Sequence, residues 1–339
     1  MTDVTDVIAE RTAVRVWRGL TQVPDGFGPS VVTIGNFDGV HLGHQTVLQR
    51  MAADARATGR ASVAITFTPH PLQVHRPDDA PPLVTGDTDR LELLAATGLD
   101  AVLLVDYTLE FAEQTPEEFV RAYLVDALHA ATVVVGRDVR FGRGNGGDLT
   151  TMVALGERFG FDVRVVEDIA DTADDSRRWS STWLRELLAV GDVVTAARVL
   201  GRPHRIRGVV VHGDARGRLL GYPTANLEPE TAGMVPADGV YAGWLRRTRA
   251  ADGTVLLGQP SLPAAVSIGT NPTFEGRRRR VEAYVLDRDD LELYDEEVVV
   301  EVLVRLRPMA RFESVDELLV QMALDVAQAR AVLVAADTD

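Results

Sequence analysis

A chain of 339 residues, 46% of them apolar, is too long for one comfortable core and holds enough apolar material for two. Its formal charge of −15 argues against a surface that wraps nucleic acid or binds an anionic membrane, since both need basic patches that neutralise phosphates. The absence of cysteine excludes disulfides, thiol nucleophiles and cysteine-ligated zinc, and the absence of lysine removes the phosphate-binding lysine on which P-loop NTPases and protein kinases depend.

The opening "MTDVTDVIAE" is acidic and lacks the basic start and apolar core of a signal peptide. No later run reads as a membrane span, so a soluble cytoplasmic protein is expected. From Val31 to about Val166, short apolar runs alternate with helix-period segments. Strands are predicted at Val31–Ile34, Ser62–Phe67, Ala101–Leu104, Thr132–Val135 and Asp162–Val166, with helices near Gln45–Thr58, Asp87–Thr97, Pro116–Leu128 and Thr150–Phe159. That alternation predicts a parallel sheet with crossover helices. Thr115, Pro116 and Glu118 form a start signal for the third helix, as N-cap, first turn and capping box.

Helices at Thr182–Val190 and Val193–Leu200 come next, and there the pattern changes. From Arg205 to Arg307, short β-rich runs punctuated by Gly, Pro and Asp suggest a small antiparallel barrel. Ser314 and Glu317 then open a C-terminal helix running to about Val334. The domain boundary is expected near residues 190–204.

The stretch "GNFDGVHLGH" follows the first strand of the parallel pattern, where open α/β sheets bind nucleotides. Gly35 and Gly39 allow close backbone approach, and His41 and His44 stand at the entry to a helix whose free amides favour phosphate. This HxGH pattern suits nucleotidyl transfer, the histidines hydrogen-bonding oxygens on which charge develops. Two histidines three apart also fit a chance pair or a metal site, although no third ligand adjoins them. Further on, "WSSTWLRELL" places Ser180, Ser181, Thr182 and Arg185 at a helix start, where hydroxyls, amides and a guanidinium suit phosphates; alone, such a stretch is more often just an N-cap.

In order, "TIGNFDGVHLGHQ", "FTPHP", "GRDVRFGRGNGGD" and "SSTWLRELL" resemble the adenylyltransferase module of bacterial bifunctional riboflavin kinase/FAD synthetases over nearly the whole first domain. The resemblance implies a Rossmann-like α/β nucleotidyltransferase domain, with Gly35, Phe37, Asp38, Gly39, His41, His44, Ser181, Thr182 and Arg185 on the ATP side. Phe67, Pro69, His70, Pro71 and Asp138 fall in the flavin-side loops. As a carboxylate, Asp138 accepts hydrogen bonds but cannot donate as an amide does. Arg137, Arg140 and Arg143 surround it in sequence, either as solvated surface or as partners for a flavin phosphate.

In the second half, "GDARGRLLGYPTANL" spaces Gly213, Gly217 and Gly221 for a flap over phosphates, while Thr224 and Asn226 offer neutral oxygens to a phosphate and magnesium. Its "PTAN" resembles the riboflavin kinase signature of the same family, which implies a small antiparallel β-barrel kinase domain with a C-terminal helix. The glutamate that the family places after an "IGTNPTF" loop corresponds to Glu282, the expected base; without that context it reads as an outward-facing strand charge. Arg277–Arg280 read as a solvated loop or as attraction for phosphates.

The resemblance thus implies an FMN adenylyltransferase over 1–195 and a riboflavin kinase over 196–339. Riboflavin, FMN and ATP are the expected partners, with Mg2+ carried by ATP, flavins as substrates and products, no nucleic acid and no membrane, and a homo-oligomer left open. The alternatives are a chain with one active module and a non-catalytic flavin-binding regulator; the presence of His41, His44 and Glu282 argues against the latter.

Overall fold

The computed structural model describes residues 14–166, 177–213, 217, 220–228, 231–273 and 276–336; the acidic opening "MTDVTDVIAE" lies outside them. The chain divides into two compact units. One runs to Pro81 and resumes over Asp87–Ser180; the other takes Pro82–Gly86 and Ser181–Asp339.

The first unit is built on six parallel strands: β1 (Arg15–Arg18), β2 (Ser30–Ile34), β3 (Ala61–Thr68), β4 (Ala101–Asp106), β5 (Ala130–Gly136) and β6 (Asp162–Val166), in the order β1-β4-β3-β2-β5-β6. Alternate side chains sort to opposite faces, as a pleated strand requires. Val31, Ala64 and Val102 pack with Leu48 and Met51 of α1 (Leu42–Ala57) and with Leu91 and Leu94 of α2 (Asp87–Ala95). On the other face Val32, Val63, Leu103 and Val133 pack with Phe119 of α3 (Pro116–Phe119) and Met152 of α4 (Leu149–Phe159). Each fully buried Val or Leu contributes roughly 1.5–3 kcal/mol, so these two layers hold the crossovers to the sheet.

The predicted elements of this unit are present, and the short helices Pro71–His75 and Leu109–Ala112 add to them; three further differences stand out. β1 is only four residues long and was not predicted, being too short to show a period. The capping box at Thr115 forms as expected, but the helix it opens continues over Val120–Ala127 with π-type bonding. And α1 begins before the predicted Gln45, for a reason that belongs to the site.

The second unit is a closed antiparallel barrel of β7 (His204–Val211), β8 (Ala225–Leu227), β9 (Gly239–Arg249), β10 (Leu262–Thr273), β11 (Gly276–Val285) and β12 (Glu297–Arg307). Every second residue turns inward: Ala264, Val266 and Ile268 on β10, Val281, Ala283 and Val285 on β11, and Val298, Val300 and Val302 on β12 are all buried. Helices α5 (Ser181–Val190) and α6 (Val193–Leu200) belong to this unit, as does α7 (Val315–Ala336), which buries Asp325, Ala329 and Leu333.

α7 corrects one expectation, because it is long and apolar enough by length and composition to cross a membrane. Its buried Asp325, midway along, is paired bidentately with Arg307 of β12 at 2.8 and 2.7 Å, which ties the helix to the barrel.

Candidate active site

In the first unit the strand order reverses between β2 and β5, and the loops after those strands carry the HxGH and RFG motifs. Crevices at such reversals, outside the carboxyl ends of the strands, are where open α/β sheets take ligands. The β2–α1 loop is tightly wound: Phe37 (φ 48°), Gly39 (φ 82°) and Val40 (φ 38°) all lie in the left-handed region. For Phe37 and Val40 this costs on the order of 1–3 kcal/mol each, sustained only where the surroundings over-determine the loop. They do so here. The Asn36 carbonyl accepts from Thr66 Oγ1 at 3.2 Å and Arg90 Nη1 at 3.1 Å, and the Val40 carbonyl accepts from Gln45 Nε2 at 2.8 Å. Asp38 is buried within the same turn.

His41 is the N-cap of α1, its Nδ1 accepting a long 3.4 Å bond from the His44 backbone N–H. Histidine is not among the usual cap residues, which is why the helix begins earlier than its apolar period predicts. With Nδ1 accepting, the neutral ring carries its proton on Nε2. The two rings stack at 3.7 Å with 20° between planes, and Phe37 meets His44 edge-on at 5.3 Å. Burial first, and the neighbouring His41 second, hold His44 well below the usual histidine pKa. Its Nδ1 is buried with no hydrogen-bond partner among the described residues. A Cβ at Gly43 would stand 3.1 Å from His41 Nδ1, so the small third residue of HxGH is what lets the first ring lie over the helix start.

The β3 loop carries the "FTPHP" residues. The Thr68–Pro69 bond is cis, and His70 caps the short helix Pro71–His75 through a capping box with Gln73. Phe67 opens a run of ring contacts that sequence reasoning did not find: Phe67 to Tyr107 at 5.6 Å, Tyr107 to Phe111 at 5.2 Å, and Phe111 to Phe119 and Phe119 to Phe141 at 6.1 Å. In a chain only 6% aromatic, the density of rings from Tyr107 to Tyr123 was the available signal. Asp138, after β5, is exposed and 3.6 Å from Arg178. Arg140 donates to the Val139 carbonyl, and Arg143 lies 4.0 Å from Glu113.

Ser181 and Thr182 open α5 in the second unit, and Arg185 Nε donates to the Pro82 carbonyl at 2.8 Å.

In the barrel, two adjoining cavities share Gly217 and Thr224. The larger, about 250 Å³, is walled by Tyr222, Tyr284, Met309, Phe312 and Met322, with Glu282 and the Arg307–Asp325 pair as its charged groups. The smaller, about 110 Å³, has Gly213 and Asn226 on its wall with His212 and Tyr294, whose rings stack at 3.8 Å. Glu282 faces Asn226 across the β11–β8 pairing and Ser267 across β10. Its neighbours Val281 and Ala283 are buried while Glu282 is half-buried, so it lines a cavity and is not a plain outward-facing charge. Asn226 Nδ2 donates to Thr224 Oγ1 and to the Thr224 carbonyl, both at 3.2 Å. A Cβ at Gly213 would stand 2.6 Å from Asn226 Cγ, and one at Gly217 2.4 Å from the Tyr222 carbonyl oxygen; both glycines serve close approach. Gly221 adopts φ 84°.

The arginine run before Glu282 also departs from expectation. It lies in strand β11, and Arg279 donates to Asp238 Oδ1 at 3.0 Å and to the Val235 carbonyl at 2.9 Å. Asp238 Oδ2 in turn accepts from the Thr270 amide and hydroxyl at 3.0 and 2.6 Å. Arg279 therefore ties β11, the strand of Glu282, to the segment that leads into β9.

Comparison with known proteins matches two family models to successive parts of the chain. A FAD synthetase family model matches residues 25–183 and a riboflavin kinase model residues 200–333. The bifunctional riboflavin kinase/FMN adenylyltransferase of Escherichia coli K12 is 36% identical over 317 residues, covering 94% of this chain and 96% of that protein. The protein of the same name from Haemophilus influenzae is 34% identical, covering 93% and 97%. A solved Streptococcus pneumoniae structure described as a macrolide-efflux protein superposes with a TM-score of 0.79 at 31% identity, covering 93% of this chain and 98% of that one. With a parallel-sheet unit carrying the HxGH loop and a barrel carrying PTAN, and with relatives aligned along nearly its whole length, the chain belongs to the bifunctional riboflavin kinase/FMN adenylyltransferase family.

Proposed function

We propose that the barrel phosphorylates riboflavin and the parallel-sheet domain adenylylates the FMN so formed, each step using its own ATP. The observation that carries this reading is the pair of cavities meeting at Thr224, with Glu282 on the wall of one and Asn226 on the wall of the other. The larger suits a flat, mostly apolar ring system with a polar tail, and the His212–Tyr294 stack beside the smaller suits a purine.

In the first step Glu282 takes the proton of the ribityl hydroxyl as its oxygen attacks the γ-phosphorus of ATP; the bond to the β–γ bridging oxygen breaks and ADP leaves. The backbone at Gly213, Gly217 and Gly221 closes over the phosphates. Thr224 and Asn226 offer neutral oxygens, and among the described residues no group of three or more His, Asp or Glu could hold a metal alone. That donor set fits magnesium bound mainly through phosphates, where it would neutralise their charge.

In the second step a phosphate oxygen of FMN attacks the α-phosphorus of another ATP, the bond to the α–β bridging oxygen breaks and pyrophosphate leaves. His41, through Nε2–H, and a neutral His44 donate hydrogen bonds to the oxygens on which charge grows. Gly35, Phe37, Asp38 and Gly39 shape the ATP loop. By resemblance Ser181, Thr182 and Arg185 are ATP-side residues of the adenylyltransferase, and Phe67, Pro69, His70, Pro71 and Asp138 flavin-side ones. The functional domains on this reading are 1–195 and 196–339, in a protein of the cytoplasm.

Incubation with riboflavin, ATP and magnesium chloride, with flavins separated over time, tests the reading. FMN is expected first and FAD second, and excess chelator should stop both. Absence of either product, or full activity in chelator, contradicts it.

A further inference from the structure

Arg90, on α2, takes no part in either reaction as described, yet its contacts reach two substrate-side loops at once. It is 1% exposed, and acceptors meet its two terminal nitrogens, while Nε is buried with no hydrogen-bond partner among the described residues. Nη1 donates to the Asn36 carbonyl at 3.1 Å; Nη2 donates to the Phe67 carbonyl at 2.7 Å and to Asp87 Oδ1 at 2.7 Å. Asp87 Oδ2 accepts from the Thr68 hydroxyl in a short bond. Asn36 immediately precedes the left-handed turn that delivers His41, and Phe67 and Thr68 immediately precede the cis Pro69 of the flavin-side segment. One rigid planar group thus spans the carboxyl ends of β2 and β3. The single ammonium of a lysine cannot reproduce that fork.

We propose that Arg90 is a positioning residue for adenylyl transfer, fixing the ATP-side and FMN-side loops at one spacing so that the attacking phosphate meets the α-phosphorus in line. The inference rests on the adenylyltransferase reading of this unit. A misplacement of about 1 Å costs on the order of 100-fold in rate, so loosening the fork acts on kcat.

The test uses the full chain carrying Arg90→Lys and, separately, Asp87→Asn, whose side chain is 44% exposed and leaves the core intact. kcat and KM for FMN and for ATP are measured in FAD formation and referred to the folded fraction obtained from unfolding curves. For Arg90→Lys the expected result is a fall in kcat on the order of 100-fold, larger than the rise in either KM, with FMN formation from riboflavin unchanged. Asp87→Asn should fall in the same direction by less, and carries the test alone if the lysine variant does not fold. Parental kcat on the folded enzyme, or a loss that only tracks the unfolded fraction, overturns the proposal. The parent protein separates the two claims: if it makes no FAD from FMN, the adenylyltransferase reading fails, and not this one.

Discussion

His41 caps the helix it opens, its Nδ1 accepting from the His44 amide, which puts the proton of the neutral ring on Nε2. The geometry depends on Gly43, and it yields a prediction in which stability and activity part company. Gly43→Ala gains up to about 1 kcal/mol of helix propensity while its Cβ, 3.1 Å from His41 Nδ1, displaces the ring. FAD formation from FMN should fall with no loss of Tm; a variant that melts early and keeps its activity per folded molecule would remove the ring's placement from the account. His44 gives a second prediction. Its pKa is depressed by burial, so on acidification the unfolded chain takes up a proton near pH 6.5 that the folded unit still refuses. The contribution of His44 to stability is therefore complete above about pH 6.5 and is lost as pH falls below it. The Tm of the parent should drop in that range more steeply than the Tm of His44→Gln, and parallel curves would show that the depressed pKa is not coupled to folding.

Among the elements, one carboxylate ties α7 to the barrel, and another, Asp238, ties β10 and β11 to the segment before β9. Asp325 joins α7 to β12 through Arg307 and accepts from Gln321 as well. Removing one partner of a buried pair costs roughly 3–5 kcal/mol, because the other is left as an uncompensated charge. Asp325→Ala is expected to lower the barrel's unfolding midpoint by about that free energy and, since Arg307 lines the larger cavity, to weaken riboflavin use; denaturant titration beside the FMN-forming assay reads both. A stability change below about 1 kcal/mol would class the pair with weak surface salt bridges. The parallel strands and the barrel's longer strands were legible because period and punctuation agree along them. β1 and β8 were not, because four and three residues carry no period. Arg90 was equally invisible: in "DTDRLELL" it reads as the polar side of an amphipathic helix, and only the folded chain brings the Asn36 and Phe67 carbonyls to it. Arg279 misled for the opposite reason, since a run of four arginines looks solvated until Asp238, far away in sequence, is beside it.

Across the whole molecule, the proposal assigns two sets of groups to two phosphorus centres. On the proposed reading, the γ-phosphorus chemistry falls to Glu282, Thr224 and Asn226 in the barrel, and the α-phosphorus chemistry to His41 and His44 at the head of α1. Without lysine, arginine supplies every side-chain cation other than histidine, and much of it is spent on structure. Arg205–Glu301, Arg207–Glu297 and Arg247–Glu296 pairs lace β7 and β9 to β12 and the residue before it. The central claim is that one chain holds two separable active sites, and Glu282→Ala given each substrate in turn tests it most directly. With ATP and magnesium, the variant should form no FMN from riboflavin, a loss of at least about 100-fold, yet convert supplied FMN to FAD at the parental rate. Parental FMN formation, or equal loss of both products in a folded variant, would contradict the account.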